Sequence, residues 1–125
     1  MHFITLQDIE NGMYAGDDNI DPEKIPTWGA TEFVTAMLKG RPCEMSLKGG
    51  NAQEGKLVTL YDGVRPQHNL YAPMRKEGGI ILGTGGDNSR GAEGTWFEGA
   101  IARGFASKAT EDAVQASIVA AGYGR

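Results

Sequence analysis

Three carboxylates, Asp8, Glu10 and Asp87, stand where side chains could do acid–base or nucleophilic work. The run from His2 to Glu10 alternates in the manner of a strand. It puts Ile4, Leu6, Asp8 and Glu10 on one face and Phe3, Thr5, Gln7 and Ile9 on the other. Two like charges so close raise each other's pKa or need a partner. The same spacing also suits a strand end that emerges into solvent. Asp87 closes the glycine-rich run Gly83-Thr84-Gly85-Gly86-Asp87 and precedes Asn88 and Ser89. Glycine lets backbone approach a ligand closely, so an acid here could be held against a substrate. An Asx-turn, in which Asp87 or Asn88 bonds its own backbone, fits the same residues.

Other chemistries find little support. The glycine-rich run is no phosphate loop, since no Gly-Lys-Ser/Thr follows it and no helix starts there. The acidic stretch Asp17-Asp18-Asn19-x-Asp21 hints at calcium but lacks the glycine and the closing glutamate of an EF-hand loop. His2 and His68 have no cysteine or acidic neighbours at ligand spacing, and no Gly-x-Ser-x-Gly elbow occurs. No metal and no cofactor are expected.

The elements that must position these acids read mostly as strands. Asn11-Gly12 signals a tight turn, with Met13-Tyr14-Ala15 as a short return strand, and residues 16–27 form an acidic, proline-containing loop. Strands are expected at Thr31 to Leu38, Glu44 to Lys48 and Lys56 to Tyr61, broken by Gly40, by Gly49-Gly50-Asn51 and by Gly55. Asp62-Gly63 is expected to turn the chain, and Val64 to Pro73 to be irregular connection. Further strands are expected at Gly79 to Leu82 and at the aromatic run Thr95 to Ala102. Only the tail has helical spacing. Thr110 is read as its N-cap, Glu111 and Asp112 as its acidic first turn and Gly122 as its end. Ala113, Val114, Ser117, Ile118 and Ala121 would form the apolar face that packs on a sheet. Seven or so strands with one C-terminal helix predict an all-β sandwich of jelly-roll type.

Composition agrees and narrows the partners. The 125 residues suit one compact domain or a piece of a larger one, and 19 glycines punctuate short apolar runs without a Gly-X-Y period. The net charge is −4, from 16 acidic and 12 basic residues. Lys39, Arg41, Lys48, Arg75 and Lys76 are dispersed and read as solvated surface, so nucleic acid is not an expected partner. No apolar run approaches the roughly 20 residues of a membrane span. No signal peptide is visible at the start of the sequence. Cys43 is the only cysteine; it is read as a buried small hydrophobe, with pairing to another chain as the alternative.

Taken in order, these runs resemble the catalytic domain of glycoside hydrolase family 54 α-L-arabinofuranosidases. The matching pieces are Asp8-Ile9-Glu10-Asn11-Gly12, Val34-Thr35-Ala36, Lys39-Gly40-Arg41-Pro42 and Lys48-Gly49-Gly50-Asn51-Ala52. Tyr61-Asp62-Gly63-Val64-Arg65-Pro66 and Pro73-Met74-Arg75-Lys76-Glu77-Gly78 follow. Then come Ile80-Ile81-Leu82-Gly83-x-Gly85-Gly86-Asp87-Asn88-Ser89, Gly94-Thr95-Trp96-Phe97-Glu98-Gly99, and Ala109-Thr110-Glu111 with Val114-Gln115-Ala116. No single motif decides; the collinear set spans nearly the whole chain.

The resemblance implies that Glu10 is a nucleophile and Asp87 an acid/base. It implies that Asp8 and Asn11 hold the sugar and that Gly86 offers it a backbone contact. Residues 1–125 would be the C-terminal portion of the catalytic β-sandwich, of concanavalin or jelly-roll kind and incomplete by itself. The implied substrates are arabinose-containing polysaccharides or oligosaccharides, with secretion implied by the family. The family's larger N-terminal portion carries a vicinal disulfide and a tryptophan that line the pocket, and this sequence has no counterpart to them. The missing N-terminal part of the domain is therefore an implied partner. A non-catalytic carbohydrate-binding sandwich, or a truncated product without function, are the competing readings.

Overall fold

The computed structural model describes residues 31–64 and 94–125. They form a three-stranded antiparallel sheet and one C-terminal helix. The strands are β1 (Val34–Arg41), β2 (Glu44–Asn51) and β3 (Val58–Val64), in the spatial order β1-β2-β3, and the helix is α1 (Lys108–Ala121). Three of the expected strands are thus present. The expected strands before Thr31 and at Gly79 to Leu82, with the loop over 16–27, lie outside the described residues.

Each strand begins or ends a few residues from its expected bounds, because backbone pairing overrides the glycine breaks. Gly40 pairs with Met45, Gly49 with Ala36 and Gly50 with Thr35, so all three glycines belong to strands. Asp62-Gly63 does not turn the chain: Asp62 pairs with Ser46 and Gly63 with Met45 within β3. The tight turn lies instead at Pro42-Cys43, between the paired residues Arg41 and Glu44. Proline fixes its own φ near −65°, and Cys43 takes φ 65°, the left-handed value that the third position of a type II turn requires. Cys43 is exposed, not buried, because the turn carries it to the tip of the hairpin.

Registration sorts the side chains onto two faces. Met45 and Leu47, at 2% and 0% exposure, lie on one face of the central strand, opposite Gly40 and Leu38 of β1. Ser46, Lys48 and Gly50 lie on the other, opposite Lys39, Met37 and Thr35. The β2–β3 ladder slips at Leu47/Lys48: Leu47 faces Tyr61 while Lys48 faces Thr59, which leaves Leu60 as the extra residue of a bulge.

The helix packs on the Ser46–Lys48–Gly50 face. Gly50 shows why glycine sits in mid-strand here. A Cβ there would lie 3.3 Å from both Gln115 Nε2 and the Lys56 carbonyl oxygen, so its absence lets α1 approach closely. The N-cap is Ser107 rather than Thr110. Its extended backbone (φ −71°, ψ 158°) precedes the first turn, and its Oγ accepts a hydrogen bond from the Thr110 N–H at 3.2 Å. Gly122 ends the helix as expected, with φ 74° and its N–H bonded to the Val119 carbonyl.

The run Thr95 to Ala102 is not a strand. It pairs with no strand among the described residues and is exposed throughout. Phe97 packs on Phe33 and Tyr123, with ring centroids 5.2 and 5.5 Å away, and Tyr123 also stacks on Phe33 at 5.6 Å. This three-ring cluster joins the run to the start of β1 and to the chain end.

Candidate functional site

Glu10, Asp87, Asp8, Asn11 and Gly86 all lie outside the described residues. What the described part shows is the polar junction between sheet and helix. Strand alternation points Lys39 of β1 and Lys48 of β2 to the same face, and Glu111, in the first turn of α1, sits above them. Lys39 Nζ lies 2.8 Å from Glu111 Oε1 and donates to the Ala106 carbonyl oxygen at 2.9 Å. Lys48 Nζ pairs with the other carboxylate oxygen, Oε2. The three side chains are 13%, 8% and 5% exposed for Lys39, Lys48 and Glu111. The expectation of solvated lysines at 39 and 48 is therefore wrong: the helix covers them.

The helix face is also not the expected one. Glu111 and Gln115 are its buried residues, while Ala113, Val114, Ser117 and Ala121 are exposed and Ile118 is half-buried. Spacing of i and i+4 puts Glu111 and Gln115 on one stripe. That stripe meets a sheet face of Lys39, Ser46, Lys48 and Gly50, where a carboxylate and an amide find partners and a methyl-rich stripe would leave the lysines unpaired. Gln115 Nε2 donates to the Asn51 carbonyl oxygen at 2.7 Å. The signal that could have revealed this face was the pair of lysines at inward register positions, matched to a helix glutamate, Glu111, four residues before a glutamine.

Burial pushes the Glu111 carboxyl up, but the hydrogen bonds and charges of Lys39 and Lys48 outweigh it and hold the group below the ordinary glutamate range. Both carboxylate oxygens are engaged by ammonium groups, so Glu111 is neither a poised proton donor nor a free nucleophile. Asp112 is held down by Lys108, 2.5 Å away one turn earlier, at an exposed site. Beside this junction, a groove of about 460 Å³ runs between α1 and the β2–β3 connection, lined by Lys56, Leu57, Asp112, Gln115, Ala116 and Val119. Among the described residues, no group of three or more His, Cys, Asp or Glu side chains could hold a metal ion. No described helix is long and apolar enough to cross a membrane.

The chemistry of the junction is thus structural, and the identity of the protein comes from its likeness to known ones. The family described as alpha-L-arabinofuranosidase B, catalytic, matches residues 4–124. The chain belongs to that family. It is 50% identical over 118 residues to an alpha-L-arabinofuranosidase of Hypocrea jecorina, and 49% identical over 118 residues to an arabinofuranosidase/B-xylosidase of Trichoderma koningii. Each alignment covers 94% of this chain and 23% of the relative, so the chain spans about a quarter of the length of these relatives.

Solved arabinofuranosidases carry the same fold. A glycoside hydrolase family 54 α-L-arabinofuranosidase soaked with a cyclic sulfate inhibitor superposes with a TM-score of 0.69 at 48% identity. It covers 79% of this chain and 20% of that one. An arabinofuranosidase complexed with arabinofuranosyl-α-1,2-xylobiose gives a TM-score of 0.64 at 52% identity, over 71% of this chain and 18% of that one. The three antiparallel strands and terminal helix fit a partial, mostly-β sandwich of this family.

Proposed function

We propose that this chain contributes the catalytic carboxylates of a retaining α-L-arabinofuranosidase, with Glu10 as nucleophile and Asp87 as acid/base. The observation that carries the reading is the half-identity to arabinofuranosidases over 118 residues, together with a family match over residues 4–124 that includes the positions of both acids. In this reading residues 1–125 are the C-terminal portion of the catalytic sandwich domain. Its complement is the N-terminal portion that the family's longer members possess.

The chemistry follows from two carboxyl groups in different protonation states. Glu10 ionises and attacks the anomeric carbon of a terminal α-L-arabinofuranosyl unit as the glycosidic bond breaks. Asp87 gives its proton to the departing oxygen. The covalent sugar ester on Glu10 is then opened by a water that Asp87 deprotonates, so the product keeps its anomeric configuration. This requires the two carboxyl groups to stand about 5–5.5 Å apart. Asp8 and Asn11 flank Glu10 and hydrogen-bond the furanose hydroxyls, and the Gly86 backbone contacts the ring. The substrates are arabinose-bearing side chains of arabinoxylan- or arabinan-type polysaccharide, which places the protein in xylan degradation and arabinose metabolism outside the cell. Water is the acceptor, and no cofactor enters.

Hydrolysis of an aryl α-L-arabinofuranoside tests this directly. Wild-type turnover with Glu10→Ala and Asp87→Ala both reduced by several orders of magnitude is the expected result. The short span relative to its relatives favours a second reading, a sandwich that binds arabinosyl groups without cleaving them. A folded wild type that binds arabino-oligosaccharide but does not hydrolyse it, with Glu10→Ala binding equally well, would select that second reading.

A further inference from the structure

A helix docked on a sheet normally buries an apolar stripe. In α1 the buried residues are Glu111 and Gln115, and Val114 is left 45% exposed. Within the helix the attachment is therefore carried mainly by charge and hydrogen bonds, while beyond its cap Tyr123 is held by Gln53 Nε2 at its carbonyl oxygen and by Phe33 and Phe97 at its ring. Glu111 bridges β1 and β2 through Lys39 and Lys48, and Gln115 holds the end of β2 at the Asn51 carbonyl. Among the described residues the cluster contains two ammonium groups and one carboxylate, a surplus of one positive charge in a nearly dry setting. Removing that negative charge would leave the Lys48 ammonium buried without its carboxylate and Lys39 with only the Ala106 carbonyl oxygen and the Phe105 ring, the costly state for a charge out of water.

We propose that α1 is an acid-released latch, held on the sheet by the charge of Glu111 and set free, with the sheet still paired, when that carboxyl takes up a proton. The other groups at this junction do not replace it. Asp112 pairs with Lys108 on the exposed flank of the helix, and Lys48 and, from the β2–β3 connection, Lys56 act on it through weaker charge attraction without a hydrogen bond. Arg41 and Glu44 pair at the turn end of the same face, and Asp62 of β3 stands opposite Ser46 but is exposed. The residue after the helix cap, Tyr123, leaves the Phe33–Phe97 cluster when the latch opens, which gives the event an aromatic signal.

The sign follows from linkage. The folded state holds Glu111 below its unfolded value. Its contribution is therefore fully present above the unfolded glutamate pKa and is lost as pH falls through the lower, folded one. One linked proton changes the docking equilibrium by about tenfold per pH unit once the carboxyl begins to fill.

Hydrogen exchange of the full chain, corrected for intrinsic rates and followed from about pH 7 to about pH 3, reads this directly. Protection over 108–121 should fall by about tenfold per pH unit in the acid limb while protection over 44–51 holds. Glu111→Gln should show the released pattern already at neutral pH, and Asp112→Asn should keep the wild-type transition. The triple variant Lys39→Met/Lys48→Met/Glu111→Leu should stay docked without an acid transition. Helix and β2 losing protection together, or Glu111→Gln keeping α1 as protected as wild type, would overturn the proposal.

Discussion

Replacing Ser107 with alanine removes a side-chain oxygen that accepts from the first turn of α1, the 3.2 Å bond from the Thr110 N–H. Loss of a serine N-cap costs about 1 kcal/mol, within a range of about 0.5–2. Thr110→Ala is the instructive partner, because the sequence pattern made Thr110 the cap. Its Oγ1 lies 3.0 Å from the Ser107 Oγ on an exposed surface. Alanine is the better helix former by up to about 0.7 kcal/mol. The two variants should therefore differ in sign: Ser107→Ala destabilises by about 1 kcal/mol, and Thr110→Ala is neutral or stabilises by a few tenths. Urea melts followed by far-UV circular dichroism resolve this. With a slope of about 2 kcal/mol per molar urea, the first variant lowers the midpoint by about 0.5 M and the second leaves it in place. Ser107→Asp should retain most of the wild-type midpoint, since its carboxylate accepts the same bond and favours the positive end of the helix. A Thr110→Ala loss as large as that of Ser107→Ala would show that the helix begins one turn later and would refute the assignment.

Other substitutions probe the sheet. Leu47→Ala, at the fully buried centre of β2, should cost about 2–5 kcal/mol in the same melts, whereas Leu47→Met should cost less than about 1.5. Gly50→Val would press a side chain against Gln115 and the Lys56 carbonyl, and a loss of about 1–3 kcal/mol with a shifted helix is expected by melt and by exchange over 108–121. Cys43→Gly should relieve the left-handed backbone of the Pro42-Cys43 turn and raise the stability read from the melts by up to about 1 kcal/mol. A fall in stability would mean that the thiol makes a contact that outweighs the strain.

The parts of the fold legible in the sequence were those set by local pattern. Val34, Thr35 and the apolar residues of 57–61 mark strands by their branching, and the i, i+4 repeats after Ser107 mark a helix with its glycine end. What pattern missed depended on neighbours distant in the chain. Asp62-Gly63 has turn composition, yet β2 offers Ser46 and Met45 as partners and draws both into the ladder. Trp96, Phe97 and Ile101 have strand composition, but a strand is made by its partner, and here Phe97 instead joins Phe33 and Tyr123. Lys39 and Lys48 look like surface residues until Glu111 arrives from more than 60 positions away to cover them. The family was legible from collinear short motifs, and Glu10 and Asp87 rest on those motifs.

The placement of Glu111 has a kinetic consequence. The strands pair with sequence neighbours across short connections, starting from the Arg41–Glu44 turn. The helix meets β2 through contacts spanning 63 and 64 residues, Lys48 to Glu111 and Asn51 to Gln115, and reaches β1 at Lys39 across a still longer span. Closing a loop of about 63 residues costs roughly 1.6 kcal/mol more than closing one of about 10, from the logarithmic dependence on length. The helix cannot recover that cost until both lysines are already side by side, and only paired strands put them there. Among the described elements the charge pattern thereby favours an order of assembly: the meander closes and presents its two ammoniums before the helix is captured.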